Sequence, residues 1–189
     1  MWTEERMLEY LKKNLKSSRI EHSISVRDTA VKLSEIYGGN IEKAKVAGLI
    51  HDCAKYMDFK EMLNILEKCG YNNSESDTEI KAIIHADVGV CIAKHTMEVE
   101  DEDTLNAIAY HTTGRNNMSL LEKIIYLADY IEPLRDFPGV EEVREIAYKE
   151  NLDKALLLSL NNTIKHIIEK GQLLHINTVE ARNYLLRNR

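Results

Sequence analysis

The sequence predicts an all-α fold, a single helical bundle of about ten helices spanning residues 1–189. Three observations carry that expectation. Apolar residues recur at three- and four-residue steps, as in Met7-Leu8-Leu11-Leu15 and Ile41-Ala44-Val46-Leu49-Ile50, so each stretch presents one apolar stripe when wound as a helix. Sustained period-two alternation of Val, Ile, Thr and aromatic residues, the mark of a half-buried strand, is missing. Only two prolines occur, Pro133 and Pro138, and the glycines Gly38-Gly39, Gly70, Gly114 and Gly171 follow helix-like segments, where they end a helix at low steric cost.

Taken in order, the first helix is expected near 3–15 on its Met7 to Leu15 stripe. The second, near 18–37, carries Val26, Ala30 and Leu33 and closes at Gly38-Gly39. The third, near 41–56, begins on the Ile41 to Ile50 pattern. Further starts are marked by a short polar residue with Glu three positions later, which satisfies orphan amides reciprocally. Asp58/Glu61 opens 58–69, Ser76/Glu79 opens 77–97, Ser119/Glu122 opens 119–131 and Asn177/Glu180 opens 178–187. Between these lie helices near 102–112, 140–149 and 152–170, the last closed by Gly171. The polar stretch Tyr71 to Asp77 and the acidic run Glu98 to Asp103 read as solvated connections.

Composition narrows the function. Lys plus Arg is 25 against 31 Asp plus Glu, a net charge of −6 that disfavours broad contact with a DNA or RNA duplex. Charges interrupt every apolar run before the ~20 residues that a membrane span needs, so no membrane role is expected. Cys53, Cys69 and Cys91 are odd in number and lack C-x-x-C spacing, and the first residues lack a secretion pattern; a reducing, cytoplasmic compartment is expected.

The informative feature is polar residues on faces that ought to be apolar. His22 shares a helical face with Val26, Ala30 and Leu33. His51-Asp52 ends the apolar run Ala47-Gly48-Leu49-Ile50, His85 follows Ala82-Ile83-Ile84, and His111 follows Ile108-Ala109-Tyr110. Asp129 sits inside Ile124 to Ile131, near a helix C-terminus whose dipole repels a carboxylate by about 0.3–1 kcal/mol at exposed sites. Each alone has an ordinary explanation: a single histidine on an apolar face is usually a hydrogen-bonded core residue. Four histidines and two aspartates on five separate helices, all facing inward in an acidic chain, favour a metal centre, because a cation reverses the cost of burying carboxylates and takes lone pairs from neutral imidazoles. His95, His166 and His175 lie in charged or irregular surroundings and read as structural.

The order His22, His51-Asp52 and a distant Asp129 resembles the HD-domain superfamily of metal-dependent phosphohydrolases, which are all-helical; His85 and His111 resemble its dinuclear members. More narrowly, R-I-E-H-S (Arg19 to Ser23), H-D-C-A-K (His51 to Lys55), I-H-A-D-V-G (Ile84 to Gly89), A-Y-H-T-T-G (Ala109 to Gly114) and A-D-Y-I-E-P-L-R-D-F-P-G-V (Ala128 to Val140) resemble the YqeK family of symmetrical bis(5'-nucleosyl)-tetraphosphatases. The resemblance implies an HD-type metal core at about 19–150, with packing helices at about 152–187. Tyr56-Met57-Asp58 departs from it, where relatives commonly carry a more polar, proline-containing turn.

The resemblance implies that His22, His51, Asp52 and Asp129 hold one metal while Asp52 bridges to a second held by His85 and His111, with iron as the cofactor. Ligand type alone suits iron, manganese, cobalt or zinc. Two such ions about 3.5–4 Å apart share a bridging hydroxide able to attack phosphorus near neutral pH. Diadenosine tetraphosphate and water would then give two nucleoside diphosphates. Asp52 and Lys55 are the candidate catalytic residues. Arg19, Lys55, Thr112, Thr113 and Arg135 are the candidate substrate contacts, each with a bland counterpart: a solvated surface lysine for Lys55, an ion pair for the arginines and a helix stop for the threonines. Tyr110, Tyr126, Tyr130 and Phe137 are candidates for base stacking. A homodimer is left open.

Two other functions compete. A mononuclear nucleotidase or triphosphohydrolase would use His22, His51, Asp52 and Asp129, leaving His85 and His111 to contact substrate. A non-catalytic module would bind a nucleotide and regulate a partner protein.

Overall fold

The computed structural model describes residues 1–71, 83–149 and 151–188. Among them are ten α-helices and no strand: α1 (Glu4–Asn14), α2 (Ser17–Tyr37), α3 (Ile41–Ile50), α4 (Phe59–Lys68), α5 (Ile84–His95), α6 (Glu102–Ala109), α7 (Leu120–Ile131), α8 (Val140–Lys149), α9 (Leu152–Glu169) and α10 (Ile176–Arg187). No helix among the described residues is long and apolar enough to cross a membrane.

Local chemistry accounts for the ends. The capping box at α7 forms as expected: Ser119 accepts from the Glu122 amide, and the Glu122 carboxylate accepts from the Ser119 amide. Asp58 caps α4 through the Lys60 amide. Gly38 ends α2 in the left-handed region at φ +71°, which a side chain would strain. Three expected boundaries are corrected. The third helix stops at Ile50, not 56; residues 53 to 57 run in tight turns, with the amides of Cys53, Lys55 and Met57 donating to carbonyls three residues back. The sixth stops at Ala109, so His111 sits on a turn. The last begins at Ile176, capped by His175 Nδ1 accepting from the Asn177 amide, so Asn177/Glu180 is not its start. The Ser76/Glu79 pair and the first residues of the 77–97 helix lie outside the described residues.

α7 is the central post. Ile124, Ile125, Leu127, Ala128 and Ile131 are fully buried, and α2, α3, α6, α8 and α9 pack around it. Each large aliphatic side chain there contributes about 1.5–3 kcal/mol by leaving water. One buried apolar cluster runs from Met7 on α1 to Leu185 on α10.

α2 and α3 approach most closely at Gly48. A Cβ there would lie 2.8 Å from the Arg27 Cα, a distance that backbone cannot yield without moving the helices apart. That approach brings His22 on α2 towards His51 at the end of α3, with ring centroids 5.4 Å apart. Gly48→Ala is therefore expected to cost about 1–3 kcal/mol in denaturant unfolding, as overpacking does. Full stability in the variant would contradict this packing.

Candidate metal centre

All six singled-out side chains converge between α2, α3, α5, α6 and α7. His51 and Asp52 are 0% and 1% exposed, His22, His85 and His111 are buried, and Asp129 is half-buried at the mouth. The imidazoles form a chain: His51 and His111 have ring centroids 4.9 Å apart, and His111 and His85 are 5.2 Å apart.

Backbone and carboxylate acceptors set the tautomers. His51 Nδ1–H donates to the Gly48 carbonyl at 2.8 Å, His111 Nδ1–H to the Ile108 carbonyl at 2.7 Å, and His22 Nδ1–H to Glu132 Oε1 at 3.0 Å. In each ring this leaves the Nε2 lone pair for the centre. His22 Nε2 and His51 Nε2 are buried with no hydrogen-bond partner, as is Asp52 Oδ1. Such orphans are costly in a folded chain unless a ligand takes them.

Asp52 stands in the middle with its two oxygens facing different groups. Oδ1 lies 3.0 Å from His85 Nε2 and 3.4 Å from His111 Nε2. Oδ2 lies 3.5 Å from His51 Nε2 and 3.9 Å from His22 Nε2, while Asp129 Oδ1 lies 3.0 Å from His22 Nε2. Two overlapping ligand sets result, His22-His51-Asp129 and His51-Asp52-His111, each with donor atoms within 4.8 Å of one another. Neutral imidazole nitrogens and carboxylate oxygens around unsatisfied lone pairs fit a transition-metal cation.

Three cations ring the carboxylates. Arg19 donates to Asp52 Oδ2 at 2.9 Å, and Arg135 donates to the side chain and carbonyl of Asp129. Lys55 Nζ is 3.0 Å from His85 Nε2 and 3.5 Å from Asp52 Oδ1. Lys55 thus reaches the centre from a turn, not from a continued helix. Arg135 also lies 3.8 Å from Glu132. The Thr113 hydroxyl donates to the Gly114 carbonyl, whereas the Thr112 hydroxyl has no hydrogen-bond partner. Arg135 and Thr112, with Tyr130 and Phe137, line a cleft of about 240 Å³ that opens beside His111 and Asp129. Tyr126 is buried, leaving its ring little surface for stacking.

Glu132 was not among the expected site residues. It is 1% exposed and accepts from His22 Nδ1 and from the Leu134 amide, the latter at 2.7 Å. Its signal in the sequence is the Glu-Pro pair closing α7, where a carboxylate against the helix dipole needs a partner.

Burial pushes the Asp52 carboxyl up, but His51, His111 and His85 around it outweigh that and hold it well below the usual carboxylate range. Burial likewise raises Asp129, and His22, His51 and Arg135 bring it well below that range. Burial lowers His85 from 6.5 to about 4, against the opposing pull of Asp52, so its lone pair is free at neutral pH. The consequences for stability share one sign. Below pH 6.5 the unfolded chain protonates this histidine before the folded one does, and below 3.8 it protonates the aspartates first. Chelator-treated protein is expected to lose thermal stability as pH falls from 6.5 to 4, and further below; a flat profile over that window would contradict these environments.

The HD domain family matches residues 19–134. Over 183 residues the chain is 43% identical to a protein of Halalkalibacterium halodurans named symmetrical bis(5'-nucleosyl)-tetraphosphatase, covering 96% of each. It is 40% identical to the Bacillus subtilis protein of the same name, covering 96% of this chain and 97% of that one. A crystal structure of a predicted HD superfamily hydrolase from Clostridium acetobutylicum, described as involved in NAD metabolism, superposes with a TM-score of 0.96 at 50% identity over 100% of both chains. On these matches the chain belongs to the HD domain family of metal-dependent hydrolases, within its YqeK branch.

Proposed function

We propose that this chain hydrolyses dinucleoside tetraphosphates, diadenosine tetraphosphate among them, symmetrically to two nucleoside diphosphates. We assign two metal ions to the site, one held by His22, His51, Asp52 and Asp129 and a second by Asp52, His85 and His111. The carrying observation is Asp52, whose two carboxylate oxygens face different imidazoles, His85 on one side and His51 on the other. Iron is the metal the family resemblance favours; the donor set also suits manganese, cobalt and zinc. Bound metal would supply Lewis acidity, lowering the proton affinity of water and neutralising phosphate oxygens.

The chain's own residues do the rest. Arg19, Lys55 and Arg135 surround the centre with three positive charges on otherwise acidic protein, where a polyphosphate carries several negative ones. Lys55, only partly exposed, is placed to neutralise charge on the phosphoryl group being cleaved. Thr112 and Thr113 offer further contacts on the His111 turn. Residues 1–189 act as one unit in this reading, and the three free cysteines suit a reducing cytoplasm.

Lys55→Ala is expected to lower kcat/KM by about tenfold to a hundredfold, the worth of a charge-assisted contact, with metal content unchanged. Loss of metal in that variant would make Lys55 a structural support instead. The functional test is chromatography of the products from diadenosine tetraphosphate and metal-loaded protein. Two equivalents of ADP support the proposal. AMP plus ATP, or a mononucleotide as the only substrate consumed, would overturn it and favour asymmetric or mononuclear chemistry.

A further inference from the structure

Two clefts beside the candidate metal centre share one lining residue, Thr112. The first, already described, runs from His111 and Asp129 past Tyr130 and Phe137, and continues through Tyr130, Phe137 and Thr163 into a groove of about 560 Å³ along α9. Tyr130 and Phe137 pack edge to face at 5.1 Å, an arrangement that leaves the partly exposed Phe137 ring at the wall. The second cleft, about 310 Å³, lies between α5, the turn after α6 and the start of α10, and is bounded by Asp87, Tyr110, His175, Ile176 and Asn177. Both include Thr112, the residue after His111, whose hydroxyl has no partner of its own.

A single grip on one nucleoside suffices to set which phosphorus faces the metals, because the phosphate chain is measured from that end. A second grip adds affinity only for a substrate with a nucleoside at its other end. The second cleft has the composition for this: the Tyr110 ring, held by Arg115 at 4.7 Å, and the Ile176 side chain, 62% exposed at the rim, offer apolar surface flanked by polar groups.

We infer that each cleft takes one nucleoside half of the substrate, with the tetraphosphate passing between them at Thr112. The second cleft, at Tyr110 and Ile176, is then the feature that selects a chain capped at both ends over one capped at a single end. This inference rests on the function proposed above.

The test compares diadenosine tetraphosphate with adenosine 5'-tetraphosphate. Water adds across the same central anhydride in both, giving two ADP from the first and ADP plus pyrophosphate from the second. Ile176→Trp fills the second cleft, and Ile176→Glu sets a carboxylate against the bound nucleotide. Both are expected to reduce the ratio of kcat/KM values for the two substrates about tenfold, the worth of one stacked base. Calorimetry with the β,γ-methylene analogue of diadenosine tetraphosphate is expected to show the same loss of affinity. If wild-type protein makes ADP but both variants keep its selectivity and its affinity for the analogue, the inference fails while the function stands. Wild-type protein inert towards both substrates would overturn the function and this inference with it.

Discussion

Asp52→Ala is expected to lower turnover of diadenosine tetraphosphate by at least about a thousandfold, the upper range for removing one electrostatic group from an active site. The same change is expected to lower bound metal below that of wild-type protein. The reason lies in position. Asp52 is the one carboxylate within 4 Å of His22, His51, His85 and His111 together among the described residues, so its removal takes a donor from both proposed metals. Four buried imidazoles would then share the centre with Asp129 alone. Elemental analysis alongside turnover separates the two losses: full metal content with lost activity would reassign Asp52 from ligand to acid–base group. Retained hydrolysis in metal-depleted Asp52→Ala protein would refute the reading.

The second large effect is expected at Glu132, which touches no phosphate in this account. Its carboxylate accepts from His22 Nδ1, fixing the tautomer whose Nε2 faces the centre, and from the Leu134 amide, shaping the turn that carries Arg135 back to Asp129. Removing such a partner of a ligand costs about tenfold to a hundredfold in metal affinity. Glu132→Ala should also strand the buried His22 Nδ1–H donor, at about 1–3 kcal/mol. Glu132→Gln keeps an acceptor while losing the charge, and is expected to fold with most of the wild-type stability yet bind metal more weakly. Equal metal affinity in Glu132→Gln and wild-type protein would show that the carboxylate's charge does not matter to His22.

The two residues also mark how far the sequence could be read. His22, His51, Asp52, His85, His111 and Asp129 were legible because each breaks an apolar helical face, and a polar group there demands a partner wherever it ends up. Glu132 was not, because Arg135 three residues later offers a sufficient local partner, while the contact that gives it meaning is with His22, 110 residues away. Helix cores followed from periodicity, but ends did not always. Cys53 and Ala54 are buried like helix residues and extend the apolar pattern, yet the backbone there has tightened into three-residue turns. Lys55, four residues after His51, would share its face on a continued helix; the turns bring it to His85 instead. At α10 the cap is a histidine, a residue type with weak capping preference, so the better capper Asn177 drew the expected start two residues late.

Stacking candidates divided by burial. Tyr126 and Tyr130, one turn apart on α7, both border the cleft, but Tyr126 is buried and Tyr130 half-buried. Sequence spacing alone does not distinguish them, since both lie in one apolar helix, against which α9 packs.

In the proposed function six convergent side chains hold a pair of metal ions. Elemental analysis of protein purified with its metal, with turnover measured on the same sample before chelation, after chelation and after metal is restored, tests it most directly. Two ions per chain are expected, with loss of ADP formation on their removal and recovery in proportion to their return. Full activity with one ion per chain, or with none, would contradict the proposal.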